Sequence, residues 1–172
     1  MKSCLIAYSG GVDSTFLLKV AKEVLGDKVL AVTAISPTYP QEEFNFAKKM
    51  TRLLGVRHKV INTAQLKDKN FSSNPITRCY FCKRELFSQL KILAKKDKLN
   101  FVIEASNFSD KKDFRPGNVA KKELGVRSPL QEAGFTKEDI RKISRVWGLP
   151  TWNKPALACL ASRIPYGRRI TL

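Results

Sequence analysis

The chain has 172 residues, 43% hydrophobic and 27% charged, which fits one globular domain and excludes a disordered or fibrous protein. Its formal net charge is +17, from 32 basic and 15 acidic residues, and such an excess suits a polyanionic partner: RNA, a nucleotide or a phosphorylated small molecule. The lysine pairs that begin at 48, 95, 111 and 121 are scattered and form no tail, so the charge reads as serving small phosphorylated molecules and solubility before nucleic acid. No apolar run approaches the about 20 residues of a membrane helix. The opening "MKSCLIAYSGG" is too short for a leader and reads as a first strand, so no membrane is expected and the expected location is the cytoplasm.

"SCLIAYS", Ser3 to Ser9, is a buried strand ended by glycines. Phe16, Leu17, Val20, Ala21, Val24 and Leu25 follow at helical spacing, and Gly26 and Asp27 end that helix. "VLAVTAI", Val29 to Ile35, is a second buried strand, and "SPTYP" is a turn. Pro40 opens a helix carrying Phe44, Ala47, Met50, Leu53 and Leu54, and Gly55 closes it. His58 to Asn62 is a short third strand, with Thr63 to Thr77 a polar loop. The pair Cys79 and Cys82 starts a helix with Leu86, Leu90, Leu93 and Ala94 on one face. Phe101 to Ala105 is a fourth strand, and a long polar loop runs on from Ser106. Thr136 with Asp139 has the form of a capping box before Ile140, Ile143, Val146 and Trp147. Trp147 and Trp152 read as core residues.

Strands alternating with helices predict an α/β fold: a parallel sheet sandwiched by helices, Rossmann-like. Ligands on such sheets bind beyond the carboxyl ends of the strands. Three loops fall there: Ser9 to Ser14, Ser36 to Pro40 and Ser106 to Gly117. The first, "SGGVDS", joins a buried strand to a helix. Its glycines let backbone N–H groups approach an anion, and the helix N-terminus adds donors and a favourable dipole. It lacks the lysine of a Walker loop and the G-x-G-x-x-G spacing. Asp13 could instead cap an ordinary strand-to-helix turn. The expected nucleotide-binding residues are Ser9, Gly10, Gly11, Val12, Asp13 and Ser14, with Ser36 in the second loop and Asn107 and Arg115 in the third. Arg115 could meet phosphate and Asp110 magnesium, or the two could serve only hydrogen bonds inside their own loop.

The hexapeptide is similar to the PP-loop of the ATP pyrophosphatase superfamily, also called the adenine nucleotide alpha hydrolase fold. That resemblance implies ATP, with Mg2+, cleaved between the α and β phosphates, and Asp13 as a catalytic residue near the metal or pyrophosphate. "NPITRCYFCKRELF", "FRPGNVAKKELGVRSPLQEAGFTKEDIRKI" and "GLPTWNKPALACLASRIPYG" narrow the resemblance to the LarE family, ATP-dependent sulfur transferases of nickel-pincer nucleotide synthesis. It implies adenylation of a carboxylate of pyridinium-3,5-biscarboxylic acid mononucleotide, then sulfur transfer. It makes Cys159, in "CLASRIPYG", the catalytic sulfur-handling residue. One branch sacrifices that cysteine. Another also carries a CxxC, and its three cysteines bind a [4Fe–4S] cluster; Cys79, Cys82 and Cys159 match that branch.

Three thiolates can hold three irons of a cubane and leave one open, whereas four are the usual electron-transfer set. Redox-protected transfer thiols and a zinc site are the alternatives. Cys4, in the buried first strand, reads as a packed hydrophobe. His58, the sole histidine, reads as structural or nucleotide-adjacent. Arg163, Tyr166 and Arg168 are the expected binders of a substrate phosphate. The family has two adjacent acids after Asn107, and Ser109 stands in place of the first. LarE proteins continue into a C-terminal region, and the resemblance implies a homo-oligomer. Residues 1–172 are expected to form one PP-loop domain, with that region absent after 172 or carried by a separate chain. A tRNA thiolase of the same superfamily and a nucleotide-binding subunit that needs a partner chain are the rival functions.

Overall fold

The computed structural model describes residues 1–112 and 115–171. Four parallel strands form the sheet: β1 (Cys4–Ala7), β2 (Val29–Ile35), β3 (Arg57–Asn62) and β4 (Phe101–Ile103). Their order is β3-β2-β1-β4. The register pairs Cys4 with Val29 on one side and with Phe101 on the other. The chain therefore steps outward from β1 to β3 and returns across the sheet to β4. That reversal puts the switch point between β1 and β4, where the loops after these strands diverge.

Side-chain alternation along β1 divides the core in two. Cys4, Ile6 and Tyr8 face α1 (Val12–Leu25) and α2 (Gln41–Leu53), packing with Phe16, Leu17, Ala47, Met50 and Ile140. Leu5 faces α4 (Arg78–Lys96) with Leu30, Val32, Phe87, Leu90 and Val102. Helices thus cover both faces, as expected. α7 (Lys137–Val146) packs beside α1, and its capping box between Thr136 and Asp139 is formed. Cys4 is buried, and burial pushes its thiol up to about 11, as suits a packed hydrophobe.

Several expected boundaries move. The segment after β3 is not a plain loop: it holds a helical turn, Gln65–Lys67, and α3 (Lys69–Ser72). The Asp68 side chain accepts from Asn70 N and starts α3. β4 ends at Ile103, two residues short of Ala105. The polar loop after it contains a turn at Ser109–Lys112 and ends in α5 (Gly117–Glu123); its residues 113 and 114 lie outside the described residues. α6 (Pro129–Glu132) has one apolar turn and no periodicity to announce it. Trp147 is not core: it is 46% exposed and stacks on Phe16, with ring centroids 5.3 Å apart. Trp152 is half-buried under Arg145.

A third small cluster joins distant segments. Phe71, Ala161 and Ile170 are buried together, with Leu66, Phe81, Cys82 and Ile164 packed on them. It binds the last turn of the chain to α3 and to the first turn of α4. Leu90 is fully buried between α4 and the sheet, whereas Val146 is 80% exposed. Leu90→Ala should lower unfolding free energy by about 2–5 kcal/mol and Val146→Ala by no more than about 0.5 kcal/mol, as read by urea denaturation. Equal effects would contradict this placement of the core.

Candidate functional site

The loop after β1 turns sharply at Gly10, whose φ is +72°. A Cβ there would lie 3.1 Å from the Ala47 Cβ, so this glycine lets the loop pass against α2. Gly11 has φ −79° and is the N-cap of α1. A Cβ on it would meet nothing nearer than Ser9 Oγ at 3.5 Å, so the fold itself leaves room at Gly11. Ser9 Oγ and Ser14 Oγ are 3.1 Å apart, and Ser14 Oγ donates to Gly11 O at 3.2 Å. Val12 is buried. The Tyr39 hydroxyl donates to Ser9 O at 2.9 Å from the second loop.

Asp13 does not cap α1, because no side chain caps that helix. Its Oδ2 accepts from Lys137 Nζ at 2.7 Å, and its Oδ1 is buried with no hydrogen-bond partner among the described residues. An orphaned carboxylate oxygen beside a turn of N–H groups is a fitting ligand for a hard cation. The positive charge missing from the loop's own sequence thus arrives from the first turn of α7. A second lysine closes the other side. Lys154 Nζ donates to Gly10 O at 3.2 Å and to Glu43 at 2.8 Å, and lies 3.9 Å from the Phe46 ring centroid. It staples the segment leading to Cys159 onto the loop. Neither lysine stood out in the sequence, where both belong to scattered basic residues.

In the second loop, Ser36 Oγ lies 2.9 Å from Thr38 Oγ1. In the third, Asn107 is buried, and its Oδ1 accepts from Asp110 N at 3.2 Å. Asp110 and Arg115, expected at metal and phosphate, are paired with each other at 2.8 Å. His58 Nε2 meets the Thr33 hydroxyl at 2.8 Å, edge-on to Tyr8, and burial, then the Lys48 charge, lowers its pKa. That is a structural histidine.

The cysteines come together from far apart. Cys79 and Cys82 are in the first turns of α4, whose N-terminus lies at the carboxyl ends of the strands because α4 leads back to β4. Cys159 precedes a short turn, Leu160–Arg163, and Leu160 N donates to Thr38 O at 3.1 Å. All three thiols are free; Cys79 and Cys159 are exposed and Cys82 is half-buried. Cys82 has the thiol pushed up to about 11, first by burial; Lys83 opposes this, and the charges of Cys159 and Cys79 add to it. Among the described residues no three His, Cys, Asp or Glu side chains are arranged to hold a metal ion, so the expected ligand set is not assembled.

Asn74 anchors the return of the chain. It is fully buried at φ +58°, and its Nδ2 donates to Ile164 O, Pro165 O and Arg168 O at 3.2, 2.8 and 3.0 Å. Its Oδ1 accepts from buried Arg78, whose guanidinium lies 4.7 Å from the Tyr166 ring. Tyr166, Arg163 and Arg168 are exposed. On the other flank of the cysteines, Gly117 packs so closely on α4 that a Cβ would lie 2.9 Å from Lys83 Cγ.

A comparison with known proteins matches residues 3–80 to the family model "Queuosine biosynthesis protein QueC". Among solved structures, NMN synthetase from Francisella tularensis superposes with a TM-score of 0.71 at 19% identity, over 90% of this chain and 66% of that one. A glutamine-dependent NAD+ synthetase from Acinetobacter baumannii, in complex with ADP, gives 0.67 at 19% identity, over 84% of this chain and 28% of that one. The fold is therefore that of these NAD+ and NMN synthetases.

Among curated relatives, the pyridinium-3,5-bisthiocarboxylic acid mononucleotide synthase of Lactiplantibacillus plantarum is 38% identical over 96% of this chain and 60% of its own length. An uncharacterised protein of Synechocystis is 48% identical over 98% of this chain and 63% of its own. The resemblance to the LarE family is borne out, and the chain spans about three fifths of the length of these relatives. No helix among the described residues is long and apolar enough to cross a membrane.

Glu104, at the end of β4, was missed in the sequence, where one acid in an apolar strand gives no signal. Lys121 Nζ reaches its Oε1 at 3.3 Å, both side chains are about nine-tenths buried, and the Ser106 and Ser128 hydroxyls donate to it. Burial pushes its carboxyl up, but Lys83, Lys121 and the two hydroxyls outweigh that and hold it below the ordinary range. A depressed carboxyl stabilises the fold above its unfolded pKa, and that contribution fades as pH falls through the folded value. Glu104→Gln should cost about 3–5 kcal/mol at pH 7 by stranding Lys121. The gap from wild type in urea unfolding should close below about pH 4; a gap unchanged at pH 3 would contradict the ionised pair.

Proposed function

We propose that residues 1–172 form a PP-loop domain that adenylates a carboxylate of a small nucleotide and exchanges the adenylate for sulfur. The acceptor is pyridinium-3,5-biscarboxylic acid mononucleotide. The observation that carries this is the glycine turn of Ser9 to Ser14 at the N-terminus of α1, at the end of the sheet where Cys79 and Cys82 start α4, with the segment leading to Cys159 tied to the turn through Lys154. The 38% identity to a pyridinium-3,5-bisthiocarboxylic acid mononucleotide synthase supports the choice of acceptor.

In the first step a substrate carboxylate oxygen attacks the α-phosphorus of ATP. The bond to the bridging oxygen breaks and pyrophosphate leaves. Backbone N–H groups at Gly10 to Ser14 and the N-terminus of α1 hold the departing phosphates. Asp13 Oδ1 fits Mg2+, and Lys137 neutralises the charge that develops beside it. Ser36 and Asn107 are assigned to the nucleotide, and Arg163, Tyr166 and Arg168 to the substrate phosphate. In the second step sulfur attacks the acyl carbon, the carbon–oxygen bond to AMP breaks, and a thiocarboxylate remains.

The donor set at Cys79, Cys82 and Cys159 suits a [4Fe–4S] cluster: three soft ligands, one in an apolar cluster and none of them carboxylate. Cys79, Cys82 and Cys159 would hold such a cluster, which would supply sulfide for the transfer. Cys159 is the residue assigned to sulfur handling. The chemistry is that of a cytoplasmic enzyme, and a homo-oligomer is the assembly assigned by resemblance.

Pyrophosphate release tests the first step. Gly11→Val should still fold, at a cost of about 1 kcal/mol for a poorer N-cap, since a Cβ has room there, yet release pyrophosphate at least about 100-fold more slowly because the side chain fills the phosphate approach. Asp13→Ala should do the same through the lost cation ligand. Wild-type rates in both variants would reject the adenylation site.

A further inference from the structure

Gln65 lies buried in the helical turn after β3. Its Nε2 donates to Cys82 Sγ at 3.1 Å, and its Oε1 accepts from the Thr38 hydroxyl at 3.3 Å. Thr38 is buried too. Its hydroxyl lies 2.9 Å from Ser36 Oγ, and its carbonyl accepts from Leu160 N, next to Cys159, at 3.1 Å. One residue of the second loop therefore touches Ser36, the amide that holds Cys82, and the backbone that carries Cys159.

The Thr38 hydroxyl donates to Oε1, which leaves the N–H end of the amide on the sulfur; against an ionised or metal-bound sulfur, which only accepts, this is the favourable orientation. Cys82 packs among Leu66, Phe71, Phe81, Ala161, Ile164 and Ile170. In that setting a charged or metal-bound sulfur has little water, and a neutral N–H donor stabilises it without adding a charge. Lys83 acts on the same thiol through its charge alone.

We propose that Gln65 is a positioning residue for the sulfur chemistry: it holds the Cys82 sulfur by an N–H···S bond and, through Thr38, sets that sulfur and the Cys159 segment in fixed register with the nucleotide loop. This rests on the reading of Cys82 as a cluster ligand or transfer thiol. The N–H···S bond itself can be tested without that reading.

Gln65→Met keeps length and volume and removes the donor. In the reduced, metal-free protein, the side-chain amide resonances of Gln65, assigned by their loss in Gln65→Met, should exchange slowly with solvent. They should move in Cys82→Ala and stay in place in Cys79→Ala. Rapid exchange with no response to Cys82→Ala overturns the proposal. After anaerobic loading with iron and sulfide, Gln65→Met should bind as much iron as wild type but show a more negative midpoint potential, since a donor to a ligand sulfur is lost. Turnover should fall about tenfold with the KM for ATP unchanged. An unchanged potential also overturns the proposal. If wild type takes up no iron, the cluster reading fails by itself, and the amide resonances still decide the Gln65 bond.

Discussion

The turn from Ile164 to Arg168 has a fixed place because Asn74 is buried. Its carboxamide ties down three carbonyls of the turn at Ile164 to Arg168, and its own backbone is held in the left-handed region at φ +58°. An isolated polar side chain in that position would cost free energy; here every polar atom of the carboxamide is used, with Arg78 on Oδ1. Gly167 N and Ile170 N donate back to Asn74 O and Ser72 O, so the segment is bonded along its length. The first turn of α4 begins four residues after Asn74. The anchor that fixes the end of the chain therefore also adjoins Cys79 and Cys82.

The nucleotide loop is braced in the same way, by charges brought from elsewhere. Lys137 and Lys154 reach Asp13 and Gly10 from α7 and from the segment before Cys159. Their partners, Asp13 and Glu43, keep the two cations close to the loop without a lysine in the loop itself. This geometry joins the loop after β1 to the arm, residues 154–160, that carries Cys159. Lys154 touches one end of that arm, and Thr38 holds it again at Leu160.

Much of the fold was legible because the strands are short apolar runs separated by amphipathic helices, and glycines stand where the chain reverses. The loop after β1 was legible from its whole hexapeptide behind a buried strand, since a glycine pair alone is common in such turns. The cysteines could be found as a set only through resemblance, since Cys159 lies beyond β4, α5, α6 and α7. Gln65, Lys137 and Glu104 left no signal, because a single polar residue shows its role only through what the fold brings to it. The Asp110–Arg115 pair shows the opposite case: side chains suited to metal and phosphate satisfy one another inside their own loop. Trp147 looked like core from its helical spacing, yet α7 ends there and leaves the ring on the rim of Phe16.

The central claim is that Cys79, Cys82 and Cys159 form one sulfur centre beside the nucleotide loop. Mössbauer spectroscopy of protein purified anaerobically from cells grown on 57Fe tests it most directly. The account predicts about four irons and four sulfides per chain, with one iron distinguishable from the other three, and loss of that spectrum in Cys159→Ala. Stoichiometric zinc in place of iron, or an iron spectrum indifferent to Cys159, would contradict it.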